Sequence, residues 1–326
     1  MTAWLVRRLA ASIAIVFAVV TFTFALIHLA PGEFTPWPPD QPPDPAVAAE
    51  LCRQWGCDQP WYVQYARYLR QLSRGNLGDS YALHRPVADA LADTIPNTLL
   101  LTGAALLLDF LLGLALGIYQ ALRVNRLPDV VLGNVTLFIY SLPTFWLALI
   151  LVLIFGQWLG WFPVAGKVDP VLCPVIDSPF CVMNMLWHLV LPAATLGFVG
   201  AAGTARFQRA AMLEVARQDF IRTARAKGAS ERRVVLRHQL RNALLTLITR
   251  FGLALPFLLT GAVLIETIFA WPGMGRLATD AILRRDYPVV TAAALLASTL
   301  VVFGNLLADI LVGVADPRVR VQENAA

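Results

Sequence analysis

The sequence predicts an all-α polytopic membrane protein, and three observations carry that reading: the apolar content, the length of the apolar runs, and the places where charge collects. Of 326 residues, 58% are hydrophobic and only 14% charged, and the mean hydropathy is +0.63. A soluble core of this size cannot hide so much apolar surface. The apolar residues cluster in runs long enough to cross a hydrocarbon layer of ~30 Å at ~1.5 Å per residue. The formal charge of +5 invites a nucleic-acid reading, but the Lys and Arg side chains lie between the runs, where they report topology instead.

Six spans are expected. The first, Leu9 to Ala30, follows Arg7 and Arg8 and ends at His28-Leu29-Ala30 before Pro31-Gly32. It is too long for a signal-peptide core and lacks a small-x-small exit, so it reads as an uncleaved helix. The other five are Thr98–Leu122, Val130–Trp158, Leu186–Gly203, Ala243–Ala270 and Val289–Val314. Of the 26 Lys and Arg, 17 fall in the termini and the even-numbered connections, counting Arg250 inside the start of the fifth span, and nine on the opposite side. By the positive-inside rule both termini are expected in the cytoplasm.

The segment 31–95 between the first two spans is too long for a plain loop and opens with Pro36-Trp37-Pro38-Pro39, which favours extended backbone. From Ala46 to Ser73, apolar and aromatic residues recur at roughly helical intervals (Trp55, Tyr65, Tyr68, Leu72), so amphipathic helices are expected there, either packed as an external cap or lying on the membrane. All four cysteines, Cys52, Cys57, Cys173 and Cys181, fall on the external side of this topology. Disulfides persist outside the cytosol, so at least one bridge is expected; Cys52–Cys57 with Cys173–Cys181 is the simplest of three pairings.

Between the fourth and fifth spans lies the stretch from Gln208 to Gly228, helical by composition. Gly228 can end that helix in a left-handed cap, and Ser230 can start a second helix through Arg232, Val235, Leu236, His238 and Leu240. Ala224, Ala226, Gly228 and Ala229 would let another protein approach closely, while Arg222, Arg225 and Lys227 ring the turn with charge able to pair with acidic groups. A DNA-reading helix-turn-helix or a lipid-facing basic face would share parts of this pattern.

The run Glu214 to Gly228, followed by Arg237-His238 and Arg241-Asn242-Ala243-Leu244, strongly resembles the EAA loop of permease subunits of binding-protein-dependent ABC importers, in the peptide and nickel subgroup of oligopeptide and dipeptide B-type permeases. Ala30-Pro31-Gly32, Asp58-Gln59-Pro60-Trp61, Gly75-Asn76-Leu77-Gly78, Pro96-Asn97-Thr98, Ser141-Leu142-Pro143-Thr144-Phe145, Gly160-Trp161-Phe162-Pro163, Glu266-Thr267-Ile268-Phe269 with Trp271-Pro272-Gly273, and Asp316-Pro317-Arg318 match in order and spacing. The chain departs from the family at Leu245-Thr246, where a proline is usual, and in its external cysteines and Asp109.

The resemblance implies a type I ABC importer transmembrane fold divided as a first helix (1–30), an extracytoplasmic segment (31–95), a core (94–313) holding a cytoplasmic coupling region (206–242), and a cytoplasmic tail (314–326). It implies a non-catalytic subunit of a bacterial inner membrane, without cofactor of its own. Its partners would be a second homologous permease, two ATP-binding subunits or one pair of ATPase domains that hold the ATP, and an extracytoplasmic substrate-binding protein. ATPase coupling is expected of Glu214, Asp219, Phe220, Arg222, Thr223, Ala224, Arg225, Ala226, Lys227, Gly228, Ala229 and Ser230. The substrate is expected to be a di- or oligopeptide, with nickel chelates and glutathione-like molecules as alternatives. Small polar residues such as Asn134, Thr136 and Ser141 would line its path.

Enzyme signatures are missing from the sequence. It has no HExxH and no GxSxG, and Gly160 to Lys167 departs from a phosphate loop in its glycine spacing and in Val168. The four His are scattered over both sides and make no metal string. Asp109 and Asp309 lie within spans, where an unpaired charge would cost at least ~2.5 kcal/mol. A proton- or ion-coupled carrier would use such groups. For Asp109 a structural bond to a neighbouring helix is the stronger expectation, and Gly113-x-x-x-Gly117 on the same helix permits close packing.

Overall fold

Prolines decide where several of the long helices of this chain bend or begin. The computed structural model describes residues 2–29, 44–46, 49, 52–53, 59–173, 178–244, 247 and 262–315. Its elements are α1 (Thr2–Leu29), α2 (Trp61–Ser73), α3 (Val87–Leu122), α4 (Leu127–Ser141), α5 (Thr144–Leu151) continued by a π-helical stretch (Val152–Trp158), α6 (Pro179–Ala216), α7 (Asp219–Ala226), α8 (Glu231–Arg233) continued by a second π-helical stretch (Val234–Leu240), α9 (Val263–Ile268), α10 (Met274–Leu283) and α11 (Tyr287–Ala315). No strand occurs among the described residues.

Among those residues four helices are long and apolar enough to cross a membrane, and a fifth span forms if the bent pair α4–α5 is counted as one. Most of the expected fifth span, Ala243–Ala270, lies outside the described residues. The expected third span is not straight: α4 and α5 meet at 104°. The cause is local. Leu142, ahead of Pro143, is forced to extended backbone (φ −75°, ψ 137°), and Pro143 has no N–H to continue the ladder. The second and fourth spans are longer than the apolar runs suggested, because α3 begins at Val87, with Pro96 inside it, and α6 covers 38 residues.

The chain divides into two compact units, one of Met1–Thr98 with Pro272–Phe303 and the other of Leu99–Trp271 with Gly304–Ala326. In the first, α2 packs on α1. The Thr21 and Tyr65 hydroxyls share a 2.6 Å hydrogen bond, Phe24 lies 5.1 Å from the Tyr65 ring and 5.7 Å from that of Tyr68, and His28 bonds the Gln64 side chain at 3.0 Å. The cap reading of α2 therefore fits better than a helix resting on lipid alone. Asn97 donates to the Pro272 carbonyl at 2.8 Å and Thr98 accepts from the Met274 N–H at 2.8 Å, tying these residues to the Pro-Gly-Met segment. A core of Val87, Leu91, Met274, Ala281, Val289 and Ala292 fills the same unit.

In the second unit α6 is the axis against which α4, α5 and α9 pack. Its contact with α3 is unusually close. A Cβ added at Gly113 would come within 2.6 Å of Thr204 Cβ, one at Gly117 within 2.6 Å of the Ala205 carbonyl, and one at Gly197 within 2.7 Å of Leu108 Cβ. Small residues on both faces let the backbones meet, as membrane helices require in the absence of a hydrophobic drive between them. Asp109 sits in this seam, 9% exposed, and accepts a 2.6 Å hydrogen bond from the Thr204 hydroxyl. Beyond the seam, Cys173 and Cys181 are joined in a disulfide with Cα atoms 5.5 Å apart, and Cys52 is also disulfide-bonded; Cys57 lies outside the described residues.

Candidate functional site

The segment from Glu214 to Leu240 is built on the far end of α6. Sequence composition suggests one helix as far as Gly228, but the structure ends α6 at Ala216 and opens α7 two residues after Arg217. Gln218 turns to extended backbone (φ −72°, ψ 148°), and Asp219 places a carboxylate in the first turn of α7, where the helix dipole favours it. The break was hidden because Arg217 and Gln218 are good helix formers.

Helix α7 closes in a Schellman motif. Gly228 has φ +77°, its N–H donates to the Arg225 carbonyl at 2.9 Å, and the Ala229 N–H donates to the Ala224 carbonyl at 3.2 Å. Only glycine adopts that φ without steric cost. Among the described residues no atom lies within 4 Å of where a Gly228 Cβ would stand, so the turn presents open surface. Ser230 occupies the cap position of α8, but its side chain makes no capping bond.

One face of this short element is anchored and the other is free. Ile221 and Val234 are fully buried, and α7 packs on the π-helical stretch that follows it. Gln239, buried, donates from Nε2 to the Met212 carbonyl at 2.9 Å, which ties that stretch back to α6. Ala121, Ala211, Met212 and Ala243 form the core beneath. Across the turn Arg225 grips Glu231 with two bonds, Nε to Oε1 at 2.8 Å and a terminal nitrogen to Oε2 at 3.3 Å. Arg222 lies 3.6 Å from Asp219, and both side chains stand mostly in solvent. Phe220 remains 43% exposed.

The structure thus brings Asp219, Phe220 and the residues from Arg222 to Ser230 into one rigid, charge-rimmed knob. Glu214 sits apart, exposed in the last turn of α6. Sequence reasoning missed the pair that holds α6 itself. Arg209 donates from Nε to Asp129 Oδ1 and from a terminal nitrogen to Oδ2, both at 2.8 Å, and Asp129 also accepts the Asn125 N–H at 2.9 Å. Asp129 is 4% exposed and the Arg209 side chain 32%, so this is a fork-to-fork clamp between α4 and α6 whose carboxylate is buried.

Of the residues expected along a pathway, Asn134 lines an open cleft beside this clamp. Thr136 is instead buried and bonds the Gly133 carbonyl, and exposed Ser141 bonds the Leu137 carbonyl. No group of three or more metal-ligating side chains occurs among the described residues.

Comparison with known proteins follows the same outline. Residues 113–321 match the family described as "Binding-protein-dependent transport system inner membrane component", and residues 1–102 match its N-terminal companion, "Binding-prot-dependent transport system membrane comp, N-term". The Di/tripeptide transport system permease protein DppB of Pseudomonas aeruginosa is 43% identical, covering 99% of this chain and 100% of the relative. The Oligopeptide transport system permease protein AppB of Bacillus subtilis is 37% identical over 98% and 99%, and the Glutathione transport system permease protein GsiC of Escherichia coli is 37% identical over 97% and 98%. Among solved structures, an inward-facing MetNI methionine ABC transporter chain shares the fold, with a TM-score of 0.55 at 19% identity, over 69% of this chain and 96% of that one.

Proposed function

The chain belongs to the family of inner membrane components of binding-protein-dependent transport systems, and from that premise we infer that it is a permease subunit importing di- or oligopeptides. Full-length similarity to a di/tripeptide permease at 43% identity supports the substrate class. The glutathione permease at 37% falls within the same chemistry, since glutathione is itself a tripeptide.

The observation that carries the mechanism is the knob from Asp219 to Ser230. Seated on Ile221 and clamped by Arg225–Glu231, it moves as one body with the end of α6. On this reading both termini and the knob face the cytoplasm. ATPase subunits close on ATP, carry the knob in a surface groove, and α6 transmits the motion to α4 and α5, which pack on it. The chain itself binds no ATP. It is paired with a second permease, and an external binding protein delivers the peptide. Nothing is oxidised, cleaved or transferred within the chain, so the work done on the substrate is conformational.

Deleting the gene from its host, in a background without other peptide importers, tests the assignment. Resistance to toxic peptides and loss of growth on peptides as sole source of a required amino acid are expected. Unchanged peptide uptake together with a defect confined to nickel-dependent enzymes would transfer the chain to the metal branch.

A further inference from the structure

We propose that the cleft between α4 and α6 is a subsite for the C-terminal carboxylate of the transported peptide, an inference that rests on the peptide reading above. The cleft has a volume of about 740 Å³ and is lined by Gln120, Asn134, Tyr140 and Arg206 beside the Asp129–Arg209 pair. That volume lies within the ~300–1,000 Å³ usual for small-ligand sites.

Three observations point to a monoanion. The first is charge. Arg206, Arg209 and Asp129 are the charged lining groups, and Arg209 is committed to Asp129, which leaves one positive charge over. That charge is Arg206, whose guanidinium lies 5.7 Å from the Tyr140 ring centroid, so its fork is steered along the cleft wall by the aromatic face. The second is Gln120. It is 1% exposed, yet among the described residues neither its amide nitrogen nor its amide oxygen has a hydrogen-bond partner. A buried amide without a partner costs ~1–3 kcal/mol, so a group arriving in the cleft recovers that energy by bonding it. The third is the mixture itself. One uncommitted guanidinium, three amides (Gln120, Asn125 and Asn134) and a phenol suit a carboxylate, which accepts several N–H donors and is charged at any physiological pH.

A carboxylate terminus is also the feature that free peptides share whatever their side chains. A site reading it would accept varied sequences while still holding each one. Arg206 stands ten residues before the end of α6 at Ala216, or ~15 Å along the helix that carries the coupling knob.

The test uses the whole importer in nanodiscs, without nucleotide, bearing Val130→Cys. Val130 is 51% exposed and lines the cleft without supplying a polar side chain, and no free cysteine occurs among the described residues, so a maleimide reports the new thiol. A free-acid dipeptide at ten times a millimolar Kd should slow labelling about tenfold by mass action, its C-terminal amide should not, and adding Arg206→Gln should abolish the protection. Equal protection by acid and amide, none by either, or protection that survives Arg206→Gln would each overturn the proposal. Should Arg206→Gln fail to assemble, the acid-against-amide contrast in Val130→Cys alone decides. Protection by anionic lipid with nothing added by peptide would make a headgroup the occupant and likewise overturn it. Uptake by the unaltered importer separates the two levels: peptide import without protection sinks the subsite alone, whereas absence of peptide import sinks the functional reading.

Discussion

Two arginine–carboxylate clamps lie on the same stretch of chain and do opposite work. Arg209 holds Asp129 in a bidentate bond with side chains 32% and 4% exposed, whereas Arg225 holds Glu231 in a similar fork whose side chains are 46% and 68% exposed. The first fixes a helix against its neighbour at the wall of a cleft, where the carboxylate is out of water and its removal strands a partly buried guanidinium. The second stiffens a turn in water, where screening and side-chain entropy leave little net energy. Geometry that looks alike on paper therefore separates a structural joint from a docking surface, and solvent exposure is what separates them.

The comparison can be broken most directly at the buried joint. Asp129→Ala should destabilise the assembled protein by ~3 kcal/mol, the low end for a buried pair, because Arg209 is left without its counter-charge but keeps 32% exposure. Thermal unfolding of the purified complex would read this, and Asp129→Leu with Arg209→Met should recover most of it. A loss below 1 kcal/mol in the single variant would mean that the clamp is not the joint described.

A smaller loss is expected in the α3–α6 seam. Gly113→Leu forces a side chain against Thr204 and should cost ~1–3 kcal/mol through overpacking, seen as reduced yield of assembled complex in detergent. Gly113→Ala would be milder yet still measurable, since even its Cβ meets Thr204 at 2.6 Å.

At the exposed clamp the scale falls again. Gly228→Ala meets no atom and costs only the left-handed backbone, ~1–2 kcal/mol. Glu231→Gln should cost at most ~1 kcal/mol in stability. Both should reduce transport by more than these energies would suggest, since the surface they alter is the one proposed to dock. Transport falling only in step with stability would remove the distinction between the two clamps.

Much of this was legible in the sequence. Gly228 could be recognised because a positive φ after a helix nearly always selects glycine, and the small residues around it because close approach tolerates little else. The first span, the far end of the second and the Gly113–Gly117 face were equally plain in composition. Pro143 carried a signal that the apolar run concealed: a proline with its preceding residue is enough to break a helix, yet hydropathy averages through it. The extra length of α6 was hidden because its continuation beyond Gly203 is polar, with Gln208 buried and Arg209 engaged, so the helix is sustained by neighbours and not by lipid. The Asp129–Arg209 pair had no local signature. Eighty positions separate its members, and only the packing of α4 on α6 brings them together.

The central claim is that the knob from Asp219 to Ser230 couples ATPase motion to the spans. It is tested by reconstituting the full importer with Arg225→Glu and Lys227→Glu and measuring ATP hydrolysis and peptide uptake in the same vesicles. Subunit stoichiometry should be checked by mass spectrometry. The account predicts an intact set of membrane subunits, uptake below about a tenth of wild type, and hydrolysis that no longer responds to peptide-loaded binding protein, as expected when several charge-assisted contacts are reversed. Uptake at the wild-type rate with hydrolysis still stimulated would contradict it.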